Sequence, residues 1–340
     1  METMTNLHIS QHALEQWLYQ MVNSKIEVFA PVHDGEKTDF RLLAFGDKVA
    51  DDYVQTTQSA KRFAFPKAEK LFSYRKEGKD VTLQERNLND FPEIVLWKVR
   101  PCDAAGFAPL TGIFNWDYKD NIYNARRDKI TLVSFSCTRC DEYCFCTSVH
   151  GGPGNTEGSD IQVTELPDRS ALVEILTPKG KSLIERFVQE TTPADGIDKE
   201  TYLASVPVRF KLEQLREKLE GAFDSPIWKQ QSERCLGCGA CAFVCPTCAC
   251  FDIQEDARGS SGSRIRCWDS CGFFLFTQKT AGHNPRPTQS TRWRQRILHK
   301  FSYMPDRIDE TGCTGCGRCS RACPVDMNIV EHLMSIENHG

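Results

Sequence analysis

The 340-residue sequence contains no long apolar run. A membrane-spanning helix needs about 18 or more consecutive, mostly apolar residues, and no stretch of the chain approaches that length. The mean hydropathy of −0.44 agrees with this observation. The first residues, from Met1 to Asn6, also lack the basic and apolar segments of a secretory signal peptide. We therefore expect a cytoplasmic protein with reduced cysteines.

Positive charge is not in excess, since 42 Lys and Arg residues face 46 Asp and Glu residues, for a net charge of −4. A nucleic-acid-binding domain is usually basic, so this class of protein is not expected. Nucleotide-binding signatures are missing as well. Gly180, Lys181 and Ser182 resemble the end of a phosphate-binding loop, but Ile175 stands where that loop requires glycine. No G-x-G-x-x-G motif follows a predicted strand.

Cysteine, by contrast, is abundant, with 17 residues. Disulfide scaffolds are typically short secreted chains with an even number of cysteines, and this chain is long with an odd number. We therefore expect most of the cysteines to bind metal. They lie at position 102, at 137–146, at 235–271 and at 313–323, and none lies between 147 and 234. The gap predicts two domains, at residues 1–222 and 223–340.

The two predicted domains differ in their hydrophobic patterns. The first contains short β-rich apolar runs and one helical pattern, which is typical of a mixed α/β domain. The second is poor in strand patterns. The predicted fold class is therefore α+β, with a mixed α/β N-terminal domain followed by a mainly α-helical domain. The predicted strands cover residues 26–32, 40–45, 94–99, 130–136, 161–166 and 171–176, and the predicted helices cover 12–21, 211–223 and 291–301.

The second domain contains an internal repeat with the spacing C-x2-C-x2-C-x3-C-P, which is typical of ferredoxins that hold two 4Fe–4S clusters. In such pairs the fourth cysteine of each copy binds the other cluster. Two zinc sites are the alternative, but zinc favours separated C-x2-C pairs. The spacing thus predicts one cluster on Cys235, Cys238, Cys241 and Cys323, and a second cluster on Cys313, Cys316, Cys319 and Cys245.

The cysteines of the first domain follow two predicted strands. Cys102 comes after the strand that ends at 99, and Cys137, Cys140, Cys144 and Cys146 come after the strand that ends at 136. Neighbouring strand ends could bring four thiolates together. From spacing alone, a third cluster and a set of buried, idle thiols both remain open, because free cysteine is often a small buried apolar residue.

Further motifs make the chain resemble a known family. It is similar to the β subunit of cytoplasmic NiFe hydrogenases of the sulfhydrogenase type and to the 4Fe–4S dicluster subunit of anaerobic sulfite reductase. This resemblance implies a third 4Fe–4S cluster on Cys102, Cys137, Cys144 and Cys146, and it leaves Cys140 outside the pattern. The motifs that carry it are Arg100–Ala104, Cys144–Ser148, Cys245–Asp252, Trp268–Cys271, His283–Pro287, His299–Lys300 and Cys313–Pro324.

Five cysteines have no role in these three sites, namely Cys140, Cys248, Cys250, Cys267 and Cys271. The last four could form a fourth metal site if the intervening loop folds back. We favour packed thiols instead, because Cys267 lies outside the family pattern. About 12 iron atoms per chain would fit three clusters, and about 16 would fit four.

The resemblance implies an iron–sulfur electron-transfer subunit that performs no catalysis itself, so we predict no catalytic residue. It would relay electrons between a flavoprotein subunit that handles NAD(P)H and a catalytic subunit that reduces protons or sulfur. Membership of a sulfite reductase-like complex, and a catalytic N-terminal domain, are the alternatives. A basic stretch at 286–300 could contact an acidic partner or balance the charge of the clusters.

Overall fold

Most strands belong to one mixed sheet in this computed structural model, which describes residues 5–194 and 196–338. The strands are β1 (Thr5–Ile9), β2 (Glu27–Asp34), β3 (Lys37–Leu42), β6 (Ile94–Val99), β7 (Ile130–Phe135), β8 (Ile161–Glu165), β9 (Ala171–Ile175) and β10 (Thr192–Pro193). Their order in the sheet is β10-β1-β9-β8-β7-β6-β2-β3. Strands β2, β6, β7 and β8 run parallel to one another, and the other pairings are antiparallel.

Helices cover both faces of this sheet, so its central strands are buried throughout. Every residue of β6 and β7 is buried, which explains their almost continuous apolar sequences. Successive side chains alternate between two cores: Trp97 packs with Trp17, and Leu96 packs in a separate core with Phe107. The covering helices are α1 (Gln11–Val22), α2 (Pro101–Ala105), α3 (Phe107–Phe114), α4 (Asn121–Asp128) and α5 (Pro178–Phe187).

A second sheet joins strands from distant parts of the chain. The strands are β4 (Ala68–Glu77), β5 (Asp80–Glu85), β11 (Phe251–Arg258) and β12 (Ser261–Trp268). Their order is β11-β12-β4-β5, and all of the pairings are antiparallel. The buried Arg266 of β12 contacts Glu69 of β4 at 2.6 Å. The sheet therefore connects residues on both sides of position 222, and the division into two domains there stays a prediction.

The C-terminal region packs short helices around a third core. This core includes Leu215, Trp228, Ile297 and Phe301. The helices are α6 (Leu212–Glu220), α7 (Ile227–Ser232), α8 (Ala240–Val244), α9 (Gln289–Leu298), α10 (Met304–Ile308), α11 (Arg318–Arg321) and α12 (Ile329–Glu337), with a π-helical turn at His299–Tyr303. The mixed α/β class is confirmed, whereas the C-terminal region combines helices with the β11–β12 hairpin. Among the described residues, no helix is long and apolar enough to cross a membrane.

Candidate metal centres

The two repeated motifs fold alike. Each begins as a loop with two glycines in the left-handed region and continues into a short helix, α8 or α11. The φ angles are +68° at Gly237 and +75° at Gly239, and +65° at Gly315 and +70° at Gly317. Glycine adopts this conformation without the steric cost that a Cβ atom imposes. The loops curl tightly as a result, and each places three cysteines around one concave face.

The first predicted ligand set lines a single cavity. Cys235, Cys238 and Cys241 come from the first motif, and Cys323 comes from the second, so the crossed arrangement expected from the spacing brings these four residues together. Two donors point at their sulfur atoms: the Gln289 Nε2 is 3.0 Å from the Cys235 Sγ, and the Met327 backbone nitrogen is 3.2 Å from the Cys323 Sγ. The walls also include Cys271 and Cys319. Such N–H···S contacts influence the potentials of iron–sulfur clusters.

The second predicted set also gathers residues from both motifs. Burial raises the pKa of Cys313 to about 12, and the neighbouring charge of Cys245 acts in the same direction. Burial likewise raises the pKa of Cys319 to about 11, with further contributions from Cys245 and Cys316. Cys245, the crossing residue, therefore lies close to thiols of the second motif. Its Sγ is 3.3 Å from the Lys300 Nζ.

The third predicted set lies at the edge where parallel strands end. Cys102 follows β6 at the start of α2, and Cys137 follows β7. Cys102 and Cys146 line one cavity. Burial raises the pKa of Cys146 to about 12, with added effects from Cys137 and then Cys144. The four side chains that the family resemblance implies are therefore neighbours.

Cys140, which the resemblance leaves out, is placed differently from the other first-domain cysteines. Its thiol donates to the Ser205 carbonyl oxygen at 3.3 Å. The set without it receives donors of its own. The Gln55 Nε2 is 2.9 Å from the Cys102 Sγ, and the Arg321 Nη2 is 3.6 Å from the Cys144 Sγ.

The third set lies directly against the second motif. The Phe145 backbone nitrogen donates to the Gly315 carbonyl at 2.9 Å. Cys316 is close enough to Cys102 to contribute to its raised pKa, after burial and Asp103. A buried ion pair between Arg318 and Asp103 joins the same two segments. The three cysteine sets thus form a continuous row across the molecule.

Comparison with known proteins gives the family. The 4Fe-4S dicluster domain family matches residues 234–327, which contain both repeated motifs. The subunit beta of sulfhydrogenase 2 from Pyrococcus furiosus is 32% identical over 314 residues, covering 90% of this chain and 91% of that protein. This chain belongs to the sulfhydrogenase β-subunit family. It is accordingly an iron–sulfur electron-transfer subunit with 4Fe–4S clusters. No solved structure matches the chain significantly.

Three buried cations of this family member surround the cysteines. The Lys61 Nζ is 2.9 Å from the carbonyl oxygens of Ala242 and Cys248. Arg296 lies 3.3 Å from the Cys241 carbonyl oxygen, and Lys300 bonds to Thr247 at 3.0 Å. None of the three has a carboxylate within 4.0 Å among the described residues. Uncompensated buried charge is costly, so this environment suits an anionic group such as a thiolate-bound cluster.

Lys61 carries this charge from a position that the sequence analysis missed. It lies in the 3-10 turn at Ala60–Phe63, more than 170 residues before the first dicluster cysteine. No motif marks it, and only the tertiary fold brings it to the thiols. Arg296 and Lys300, in contrast, belong to the basic stretch noted in the sequence. Their burial favours charge compensation over partner binding for these two residues.

The cysteines without a predicted role separate into two groups. Cys248, Cys250 and Cys271 line one cavity near Arg296 and Lys300. Cys267 lies on β12, paired with Asp252 and Ala68 of the flanking strands. Among the described residues, no three His, Cys, Asp or Glu side chains are arranged to hold a single metal ion. The thiolates of a cubane bind separate iron atoms and therefore stand further apart than the ligands of one ion.

Proposed function

We propose that this protein relays single electrons through at least three 4Fe–4S clusters within a multi-subunit oxidoreductase. The observation that carries the proposal is the continuous row of cysteine sets, in which Cys102 neighbours Cys316 and Phe145 bonds to Gly315. The proposed ligands are Cys235, Cys238, Cys241 and Cys323; Cys313, Cys316, Cys319 and Cys245; and Cys102, Cys137, Cys144 and Cys146.

When bound, such clusters supply one-electron chemistry through iron valence change. The side chains around them set its conditions. Gln55, Gln289 and the Met327 nitrogen donate to ligand sulfur atoms. Donors to sulfur and nearby positive charge both stabilise the reduced, more negative state. In this scheme no side chain performs acid–base catalysis.

The partners in this proposal are a flavoprotein subunit that handles NAD(P)H and a catalytic subunit that reduces protons or sulfur. Support comes from the name of the related protein, a sulfhydrogenase subunit. The row of sites offers an exposed end, because Cys238 is exposed and the adjacent Leu236 is 68% exposed. An electron can be exchanged with a partner there without crossing the protein core. We further propose that residues 223–340 act as the dicluster unit.

Iron analysis of single-cysteine variants tests the ligand sets. Anaerobically prepared Cys238→Ser, Cys319→Ser and Cys146→Ser chains should each lose up to about four iron atoms relative to the wild type, because each variant removes one thiolate of one cubane. Cys140→Ser is the matched control and should keep the wild-type iron content. If Cys146→Ser behaves like Cys140→Ser, the third set is wrong.

Activity of the isolated chain distinguishes the relay from a catalytic N-terminal domain. The purified protein should accept electrons from dithionite and show the EPR signals of interacting 4Fe–4S clusters. It should not turn over protons, sulfur or sulfite with an artificial donor. Turnover by the isolated chain would contradict the relay.

A further inference from the structure

A separate cavity lies beside the second cysteine set. Three thiols that no predicted cluster uses line it, those of Cys248, Cys250 and Cys271, and His299 lines it as well. Cys250 and Cys271 are in hydrogen-bond contact with each other. These side chains are thus three of the commonest soft metal ligands and one imidazole around a single space.

Different elements bring the four side chains to this cavity. Cys248 and Cys250 follow the first motif and precede β11, whereas Cys271 follows β12. The hairpin therefore returns the chain to its starting point, and the Asp269 nitrogen donates to the Cys250 carbonyl at 2.9 Å. His299 begins the π-helical turn that follows α9. Short π-helical segments inside helices occur frequently at functional sites.

The charge around the cavity favours an anionic occupant. Arg296 Nη1 is 3.8 Å from the Cys248 Sγ, and Lys61 bonds to the Cys248 carbonyl at 2.9 Å. Lys300 and Arg286 also line the cavity. Packed neutral thiols would leave this positive charge without compensation, which is costly in a buried site. They would also fill the space rather than line it.

We propose that Cys248, Cys250, Cys271 and His299 hold a fourth iron–sulfur cluster. This proposal rests on the proposed function, because the cluster lies beside the dicluster sites and extends the same row. It replaces the packed-thiol interpretation of the sequence. It also differs from the four-cysteine alternative, since Cys267 does not line the cavity and His299 takes the fourth position. Histidine replaces cysteine as an iron ligand in other iron–sulfur centres.

Iron and sulfide content of the reconstituted full chain tests the cluster. The wild type should contain about 16 iron atoms per chain, against about 12 for three clusters. Cys250→Ser and Cys271→Ser should each lose about four, while their dicluster EPR signals persist and report intact folding. Cys267→Ser is the matched control and should keep the full content. A wild type with about 12 iron atoms, or a Cys250→Ser chain with unchanged iron, overturns the proposal.

Pulsed EPR tests the histidine. The reduced wild type should show a nitrogen coupling from a directly bound imidazole. His299→Cys should abolish this coupling and keep about 16 iron atoms, because thiolate replaces imidazole at the same iron. A His299→Cys chain that retains the coupling overturns the assignment of His299.

The outcomes also separate this inference from the proposed function. If Cys250→Ser keeps its iron while Cys238→Ser and Cys319→Ser lose theirs, the fourth cluster is wrong and the relay stands. If those two variants lose no iron, the proposed relay itself fails.

Discussion

A single glycine illustrates how closely the second motif packs against the third cysteine set. Gly315 has a φ of +65°, and a Cβ atom there would overlap the Cys146 backbone nitrogen. The neighbour is backbone, which cannot rotate away as a flexible side chain would. The absence of a side chain at this position therefore allows two proposed cluster sites to approach each other.

Substitution of this glycine should be more costly than its φ angle alone suggests. Gly315→Ala should lower the free energy of unfolding by about 1 kcal/mol for the left-handed conformation, and the steric overlap should add about 1–3 kcal/mol. Gly78→Ala is the matched control, since Gly78 has a φ of +64° with nothing within 4 Å. Anaerobic denaturant unfolding measures both. Equal losses in the two variants would contradict the close packing at Gly315.

The cysteines themselves could be predicted at this scale, because ligand spacing is local in the sequence. The repeat identified both dicluster sets, and the family resemblance identified the four residues at the strand ends. Lys61 and His299 could not be assigned in this way. Their positions near the thiols depend on the tertiary fold, and no short motif carries that information.

At the scale of elements, burial decided which strands could be predicted. Strands β6, β7, β8 and β9 are buried and apolar, and the sequence located each of them within one or two residues. Strands β5 and β11 are exposed along their whole length, so their sequences carry no apolar alternation that could mark them. The residues predicted as a flexible tip, 257–263, instead form the turn and adjoining strand ends of the β11–β12 hairpin.

An ion pair between α2 and α11 joins the region of the third cysteine set to the second motif. Arg318 and Asp103 are both almost fully buried, and Arg318 Nε also donates to the Thr56 carbonyl at 2.8 Å. Burial lowers the pKa of Arg318, but the Asp103 charge outweighs this effect and raises it. The guanidinium thus stays charged beside its carboxylate.

Removal of one partner should leave the other charge uncompensated. Arg318→Met should lower the free energy of unfolding by about 3–5 kcal/mol, the usual cost of breaking a buried pair. Arg75→Met is the control, because the Arg75–Glu77 pair is mostly exposed on both sides and such pairs contribute little. Thermal unfolding of the iron-loaded chains measures the difference. Indistinguishable midpoints for the two variants would contradict a stabilising role for the Arg318–Asp103 pair.

At the scale of the whole molecule, the fold concentrates positive charge where the cysteine sets meet. Lys61, Arg296 and Lys300 come from distant parts of the sequence and are each no more than 5% exposed. The chain as a whole is acidic, with a net charge of −4, so this interior arrangement is not visible in the composition. It provides the counter-charge that several anionic clusters in one interior require.

This arrangement predicts that a buried lysine sets a cluster potential. Lys300→Met keeps a long unbranched side chain and removes the charge 3.3 Å from the Cys245 Sγ. Two unit charges about 4 Å apart interact by about 4 kcal/mol at an effective dielectric constant of about 20, and about 59 mV corresponds to a tenfold change for one electron. The potential of the cluster bound by Cys245 should therefore fall by on the order of 100 mV, because the reduced state loses its counter-charge.

An EPR-monitored redox titration of the full chain measures this shift. Lys37→Met is the control, since Lys37 is exposed on β3 and solvent screens its charge; it should leave every potential unchanged. Equal iron contents in the wild type and both variants ensure that the same clusters are compared. If Lys300→Met titrates like Lys37→Met, Lys300 does not act on the cluster, and the buried cations serve the packing of the chain alone.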